Sequence, residues 1–287
     1  MPINNIKFTT ETPSDVNEEL MERFDISVVP LHVNVNNKDY KVQIELDAQG
    51  VVDSYKETGA LPNTSAVSVL EYEDFWKPFL DAGNIIVHNA MSSGISSTYQ
   101  NACIAAKDLD PEGKRIYVLN SKGLSGQTAL PIYKCGEMAE NGASVEEIVK
   151  AMDEYNQKVD KTFIITSLES LRHGGRCSAL AAFGANLLKL KPLISMEGGS
   201  MSVPKKYRGS DEKVYLEYFR DRLDHAGDYD DEYCIITGVL LDPDLLKKVE
   251  DLVKKEYHFQ HIVYHPCSCV ITSHGGPGAI LVGFLRK

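Results

Sequence analysis

Three short segments of this 287-residue chain carry side chains suited to gripping an anion. The first, Ser92-Ser93-Gly94-Ile95-Ser96-Ser97-Thr98, lies between an apolar run at Asn84–Ala90 and an amphipathic run that begins near Ser97. At such a strand–turn–helix junction the first helical amides lack intrahelical partners and carry partial positive charge. Hydroxyls beside them add donors, so a carboxylate or a phosphate would suit the site. The segment brings no cation, and its serines equally suit plain capping of the helix. The second, Pro62-Asn63-Thr64-Ser65-Ala66-Val67-Ser68, offers Thr64 and Ser65 just before a helix starting at Val69, with the same two readings. The third, Ser273-His274-Gly275-Gly276-Pro277-Gly278, ends a strand-like run in a histidine. Gly275 and its neighbours let the backbone approach whatever the ring faces, against the plainer reading of a packed histidine.

Two basic segments stand beside these. Leu171-Arg172-His173-Gly174-Gly175-Arg176 reads as a helix closed by glycines, with Arg176 placed to pair with an anion or with the helix's own carbonyls. Lys205-Lys206-Tyr207-Arg208 is a basic cluster in an acidic chain, either a solvated loop or a docking patch. Several standard chemistries have no motif: there is no Gly-x-Ser-x-Gly elbow, no phosphate loop ending in Gly-Lys-Ser/Thr, and no Gly-x-Gly-x-x-Gly turn. Cys267-x-Cys269 with His265 and His274 lacks the spacing of a structural zinc site. His258, His261 and His265 fall on an alternating, strand-like stretch that scatters their rings to both faces.

The elements that must position these groups alternate along the chain. Ile26–Val35, Asn84–Ala90, Arg115–Leu119 and Lys161–Ser167 read as strands; Val69–Leu80, Ser97–Leu109, Gly126–Asn141 and Val145–Val159 read as helices. That alternation is the signature of an α/β fold. Beyond Lys161 the texture changes, so a boundary near Asp160 divides the chain into residues 1–160 and 161–287. The second part holds an apolar Leu180–Ile194 segment and a polar, turn-rich stretch from Glu197 to Lys213. After these come helices at Val214–Leu223 and Pro243–Tyr257, strands at Tyr233–Leu240 and His261–Tyr264, and closing runs at Val270–Ser273 and Ala279–Leu285. Hydrophobic residues at 43% and charged residues at 25% exclude a disordered or fibrous chain. With 41 acidic against 30 basic residues the net charge is −11, which argues against nucleic acid as a partner. No apolar stretch approaches the ~20 residues of a membrane span, the N-terminus does not read as a secretory signal, and six cysteines in mostly apolar runs suit reduced thiols. A cytoplasmic protein is expected.

The ordered set of motifs resembles the DegV family of bacterial fatty-acid-binding proteins, acyl carriers that serve a fatty acid kinase. The family's Thr-Asp-Ser strand end falls on Thr10-Glu11-Thr12, its Pro-Leu on Pro30-Leu31, and its Thr-Ser-Gln-Pro loop on Thr64-Ser65-Ala66-Val67. Its Ser-Ser-Gly turn falls on Ser92 to Tyr99, its Gly-Gly-Arg on Gly174-Gly175-Arg176, its Leu-Leu-x-x-Lys-Pro on Leu187 to Pro192, and its closing His-x-Gly-x-Gly on His274 to Gly278. The resemblance implies two α/β domains, each a sheet flanked by helices, with a long-chain fatty acid buried between and within them. It places the carboxylate-binding groups on Thr64, Ser96 and His274, with Ser65, Gly275 and Arg176 as further ligand-binding candidates and Lys205, Lys206 and Arg208 facing the kinase partner. It implies a carrier with no catalytic residue, metal or cofactor. Glu11 in place of Asp, Ala66-Val67 in place of Gln-Pro and Ser97 in place of Gly depart from the pattern and bear on ligand choice. Two other readings stay open: an acyl hydrolase or transferase using Ser96 and His274, with Glu11 as a possible orienting acid, and a carrier of another amphiphile.

Overall fold

A computed structural model describes residues 5–36, 38–42, 45–166, 168–176 and 190–287. The chain begins with β1 (Ile6–Glu11), buried at all six positions, then passes through α1 (Glu18–Arg23) to β2 (Ser27–Val29), which pairs with β1 in parallel. A small antiparallel sheet follows, built from β3 (His32–Val35), β4 (Lys38–Lys41) and β5 (Asn63–Ser65), with α2 (Ala48–Thr58) between the last two strands. After α3 (Val69–Asp81) come β6 (Ile85–Ala90), α4 (Thr98–Leu109) and β7 (Ile116–Asn120). The main sheet of this half is parallel, in the order β2-β1-β6-β7. Because the chain moves from β1 outward to β2 and then back to β6 on the other side, the order reverses between β1 and β6. The crevice beyond the carboxyl ends of such strands is where open α/β sheets hold ligands.

The second half is a mixed sheet. β8 (Thr162–Ile164), α7 (Glu169–His173), β9 (Leu190–Ser195), β10 (Ser202–Arg208), α8 (Asp211–Ala226), β11 (Tyr233–Gly238), α9 (Pro243–Glu256), β12 (His261–Pro266), α10 (Cys269–Gly275) and β13 (Ile280–Gly283) follow the helical pair α5 (Gly126–Glu140) and α6 (Val145–Lys158). The order is β10-β9-β8-β13-β11-β12, antiparallel except between β11 and β12. Alternation in β13 sends Ile280 and Val282 toward Tyr215, Tyr218 and Phe219 of α8, and Leu281 toward Phe163 and Ile194 on the opposite face.

Helix α5 joins the halves. It is buried along most of its length, and its Leu130 and Tyr133 share one core with Phe8 and Val87 of the parallel sheet and Ile235 of the mixed sheet. The strands of the two sheets separate on either side of Asp160, but the core does not. We propose residues 1–160 and 161–287 as two lobes over a common core rather than as independently folding units.

Five of the expected helices are observed to within a residue at each end, and two of these, α3 and α6, start in capping boxes, Ser68 with Glu71 and Ser144 with Glu147. Other expectations are corrected. Ile26–Val35 is two strands, broken at Pro30, which lacks an N–H for the ladder, and the chain changes sheets there. Val270–Ser273 is part of helix α10, not a strand: its β-branched run would favour extension, but burial of Cys269, Val270 and Thr272 overrides propensity. Lys205–Arg208 is not a loop but the end of β10, at the edge of its sheet. Cys177 and most of the Leu180–Ile194 segment, including Leu187 and Leu188, lie outside the described residues; its described end is β9. No helix among the described residues is long and apolar enough to cross a membrane.

Candidate functional site

A cavity of about 140 Å³ lies between the carboxyl edge of the parallel sheet and one face of the mixed sheet. A single bridging water needs only ~10–15 Å³, so this space suits an organic molecule. Met91, Ile95, Ser96 and Ser97, from the loop after β6, form one wall; Val270, Ile271, His274 and Gly275 of α10 form another. The mixed sheet contributes a cross-strand row: Phe163 of β8 pairs with Leu281 of β13, which pairs with Thr237 of β11, and all three line the space. Thr64 and Ser65 of β5 complete the rim.

Two of the expected carboxylate ligands meet directly. Thr64 Oγ1 lies 2.9 Å from His274 Nε2, although 210 residues separate them in sequence. β5 is anchored by its pairing with β3, where Thr64 opposes Val33, and α10 packs on both strands. The other ring nitrogen, Nδ1, is buried and has no partner among the described residues. Gly174 packs against that edge: a Cβ there would come within 2.3 Å of Nδ1, so any side chain at 174 would push the ring away. Burial, then the charges of Arg176 and His173, lower the His274 pKa to about 4, so the imidazole is neutral at pH 7.

Ser96 lines the same cavity without bonding to either residue. Its Oγ lies 2.6 Å from Thr98 Oγ1 and accepts from the Thr98 N–H at 3.2 Å, so it also serves the start of α4. Arg176 is exposed, and its guanidinium donates to the carbonyl of Gly174. With Ile95, Ser96, Ser97 and Met201, it borders both the cavity and an outer cleft that continues past Ser93 and Ser200. These five residues form the mouth. Thr64, Ser65, Ser96, Arg176, His274 and Gly275 therefore all line one space. Lys205, Lys206 and Arg208 do not: they are exposed on β10, which starts one residue after Met201, and Lys205 is paired with Asp221.

Buried acids hold the loops that shape this mouth. Glu11, at the end of β1, accepts from the Tyr72 hydroxyl at 2.7 Å and the Met91 N–H at 3.0 Å, and contacts His88 Nε2 at 3.1 Å. It thus fixes the start of the Ser92–Ser97 turn and is no partner of His274, which corrects its possible role as an orienting acid. Ser92 donates to the Gly199 carbonyl at 2.7 Å, and a Cβ on Gly94 would fall 2.2 Å from that oxygen, so only glycine allows the two lobes to approach there. Asp15 was not among the sequence candidates. With φ of 48°, it accepts from the Ser268 N–H at 2.7 Å and the Ser125 hydroxyl at 2.5 Å, tying the end of β1 to the starts of α5 and α10. Burial raises its pKa to about 6 despite these bonds. The turn-forming run Thr12-Pro13-Ser14-Asp15 was its only local signal. Cys267 lines the cavity and Cys269 donates to the Leu46 carbonyl at 2.9 Å; no cluster of three or more His, Cys, Asp or Glu suited to a metal occurs among the described residues.

Fold and cavity define a class: a two-lobed α/β protein whose enclosed site combines an apolar lining with a hydroxyl- and imidazole-bearing rim. The chain belongs to the DegV family, since the model described as "Uncharacterised protein, DegV family" matches residues 5–287. A "Fatty acid-binding protein" of Thermotoga maritima is 30% identical over 288 residues, covering 97% of this chain and 96% of its own length. The structure of DegV, a fatty acid binding protein from Bacillus subtilis, superposes with a TM-score of 0.84 at 25% identity, over 99% of each chain. The Streptococcus pneumoniae Fatty Acid Kinase (Fak) B3 protein, loaded with linoleic acid, matches at TM-score 0.84 over the whole of both chains; at 19% identity that likeness is one of fold.

Proposed function

We propose that this protein is a carrier that encloses a long-chain fatty acid in the interlobe cavity and presents its carboxylate at the mouth to a fatty acid kinase. The observation that carries the reading is the Thr64–His274 pair on the wall of a largely apolar cavity. A carboxylate needs two or three donors where water is scarce, and the Thr64 hydroxyl and the Nε2–H of the neutral imidazole supply two by exchanging their mutual bond for the ligand; Ser65, Ser96, Gly275 and Arg176 line the same cavity. Burial of the tail contributes ~0.8 kcal/mol per methylene. Against a hydrolase, Ser96 is bonded to Thr98 rather than to His274, and His274 has no carboxylate partner among the described residues. The head group at the mouth suits attack of a carboxylate oxygen on the γ-phosphorus of ATP held by the kinase, giving an acyl phosphate and ADP. Lys206 and Arg208, with Lys205, are proposed to face that partner. Native mass spectrometry of the purified chain should reveal a co-purified fatty acid, or binding of added palmitate or oleate. Absence of both would overturn the reading. Incubated alone with ATP or activated esters the chain should show no turnover, while added fatty acid kinase should phosphorylate the bound acid.

A further inference from the structure

Away from the mouth, the cavity wall carries a second polar spot. Thr237 lies on β11 in the row with Leu281 and Phe163; it is fully buried, and its Oγ1 has no hydrogen-bond partner among the described residues. Ser125 and Cys267 line the cavity beside it. The first turn of α5 packs so closely that a Cβ on Gly126 would fall 2.8 Å from Thr237 Oγ1, and Cys267 N–H bonds to the carbonyl of the adjacent Gly238. None of these three residues borders the outer cleft, whereas Ser96 and Arg176 do. The Ser125 hydroxyl already donates to Asp15, which leaves Thr237 as the hydroxyl of this spot with donor and acceptor capacity uncommitted among the described residues. A purely hydrocarbon tail would leave that hydroxyl unsatisfied, a costly state for a buried polar group, and valine would fill the same volume without the cost.

We infer that the cavity selects an acyl chain bearing an oxygen substituent, a hydroxy fatty acid, whose in-chain hydroxyl bonds to Thr237 while its carboxylate occupies the Thr64–His274 end. The inference rests on the fatty-acid reading and narrows its ligand class. Thr237 is then a specificity-determining residue: it discriminates between chains that both fit.

Competition titrations with stearate, 10-hydroxystearate and 12-hydroxystearate test this on the full chain. The wild type should bind at least one hydroxy acid as tightly as stearate. Thr237→Val, which removes the hydroxyl that a hydrocarbon tail leaves unsatisfied, should bind stearate at least as tightly as wild type and lower the hydroxy-to-stearate affinity ratio about tenfold, and Thr237→Ser, which keeps the hydroxyl, should retain the wild-type ratio. Retained stearate binding shows that a variant is folded. A Thr237→Val ratio within twofold of wild type would overturn the inference, as would a wild type that binds both hydroxy acids more than tenfold more weakly than stearate. If stearate itself does not bind, the fatty-acid reading falls and this inference falls with it.

Discussion

Both ring nitrogens of His88 are engaged inside the fold, Nδ1 with Thr9 at 2.9 Å and Nε2 with Glu11 at 3.1 Å, and Tyr72 and Trp76 close edge-on around the ring. Among the described residues His274 engages only Nε2, with Thr64, and it keeps a half-buried position at the rim of a cavity. The two neighbourhoods contain similar groups but differ in what is left over. Around His88 the donors and acceptors close on one another, and the product is a rigid start for the Ser92–Ser97 turn. Around His274 a single bond, Nε2 to Thr64, lies on the wall of a space for an organic molecule, while the unpartnered Nδ1 faces Gly174. A closed set of buried hydrogen bonds holds a structure, whereas one isolated bond on a cavity wall can be exchanged for a ligand's oxygens.

The largest effect that sharpens this contrast is on stability. Glu11→Ala removes the acceptor shared by Tyr72, His88 and Met91 and should cost about 2–4 kcal/mol, because it leaves the buried Tyr72 hydroxyl and Met91 N–H unpaired at about 1–3 kcal/mol each. His274→Ala in the ligand-free chain removes one hydrogen bond at a half-buried site and should cost about 1 kcal/mol. Urea denaturation of both variants measures the difference. Equal losses would show that His274 is as structural as His88 and would remove the basis of the contrast.

Binding should rank the variants the other way. His274→Ala deletes a donor to a carboxylate, an interaction of about 1.5–3 kcal/mol, and should weaken fatty acid affinity by about 10- to 100-fold. Gly174→Ala, which drives a methyl group into the ring edge, should follow it in kind and by less, because the ring has room to tilt toward the cavity. Fluorescent fatty-acid displacement reports both. An affinity for Gly174→Ala equal to that of wild type would mean that the ring's placement against α7 is irrelevant to the ligand.

How far these contrasts were legible in the sequence depends on the range of the interactions. Thr64, Ser96 and His274 were visible because each sits in a hydroxyl- or glycine-rich turn whose local chemistry is unusual. That Thr64 and His274 come together follows from the family resemblance and not from any local pattern, since their contact depends on α10, whose Val-Ile-Thr run has strand propensity and becomes helical only when packed. Glu11 stands out as a departure from the family pattern, but its partners Tyr72 and His88 come from α3 and β6, beyond the reach of any local pattern. The same limit hid Asp15, whose ligands come from Ser125 and Ser268. Lys205 shows the converse: its charge was legible, and its neutralisation by Asp221 on α8 was not.

Stability against pH separates the groups further. His274, at about 4, and His265, held near 3 by burial, are both below the ordinary histidine value of 6.5. Their folded forms favour the neutral ring, so the stability they contribute is complete above pH 6.5 and is lost as pH falls toward 4 and then 3. Asp15 has the opposite sign: raised from 3.8 to about 6, it contributes stability below pH 3.8 that is lost as pH rises through 6. Thermal unfolding between pH 4 and pH 8 should therefore show a falling Tm on acidification, shallower in wild type than in Asp15→Asn, where the offset is gone, and shallower again in His274→Gln. An Asp15→Asn profile parallel to wild type would contradict the assignment.

The smallest expected effect falls on Ser96, which belongs to both kinds of neighbourhood. Its Oγ accepts from the Thr98 N–H, as a capping residue does, and the same residue lines the mouth of the cavity. Because α4 has no side-chain cap from Ser97, removing the Ser96 hydroxyl should cost stability at the lower end of the capping range, about 0.5–1 kcal/mol. Affinity should fall by a similar free energy, a few-fold, because Thr64 and His274 continue to hold the carboxylate. The ratio of the two losses in Ser96→Ala decides where the residue belongs. A stability loss with unchanged affinity makes it a helix cap, as Glu11 is a loop anchor. An affinity loss with unchanged stability places it beside His274, with its bond to Thr98 yielding to the ligand's oxygen when the cavity fills.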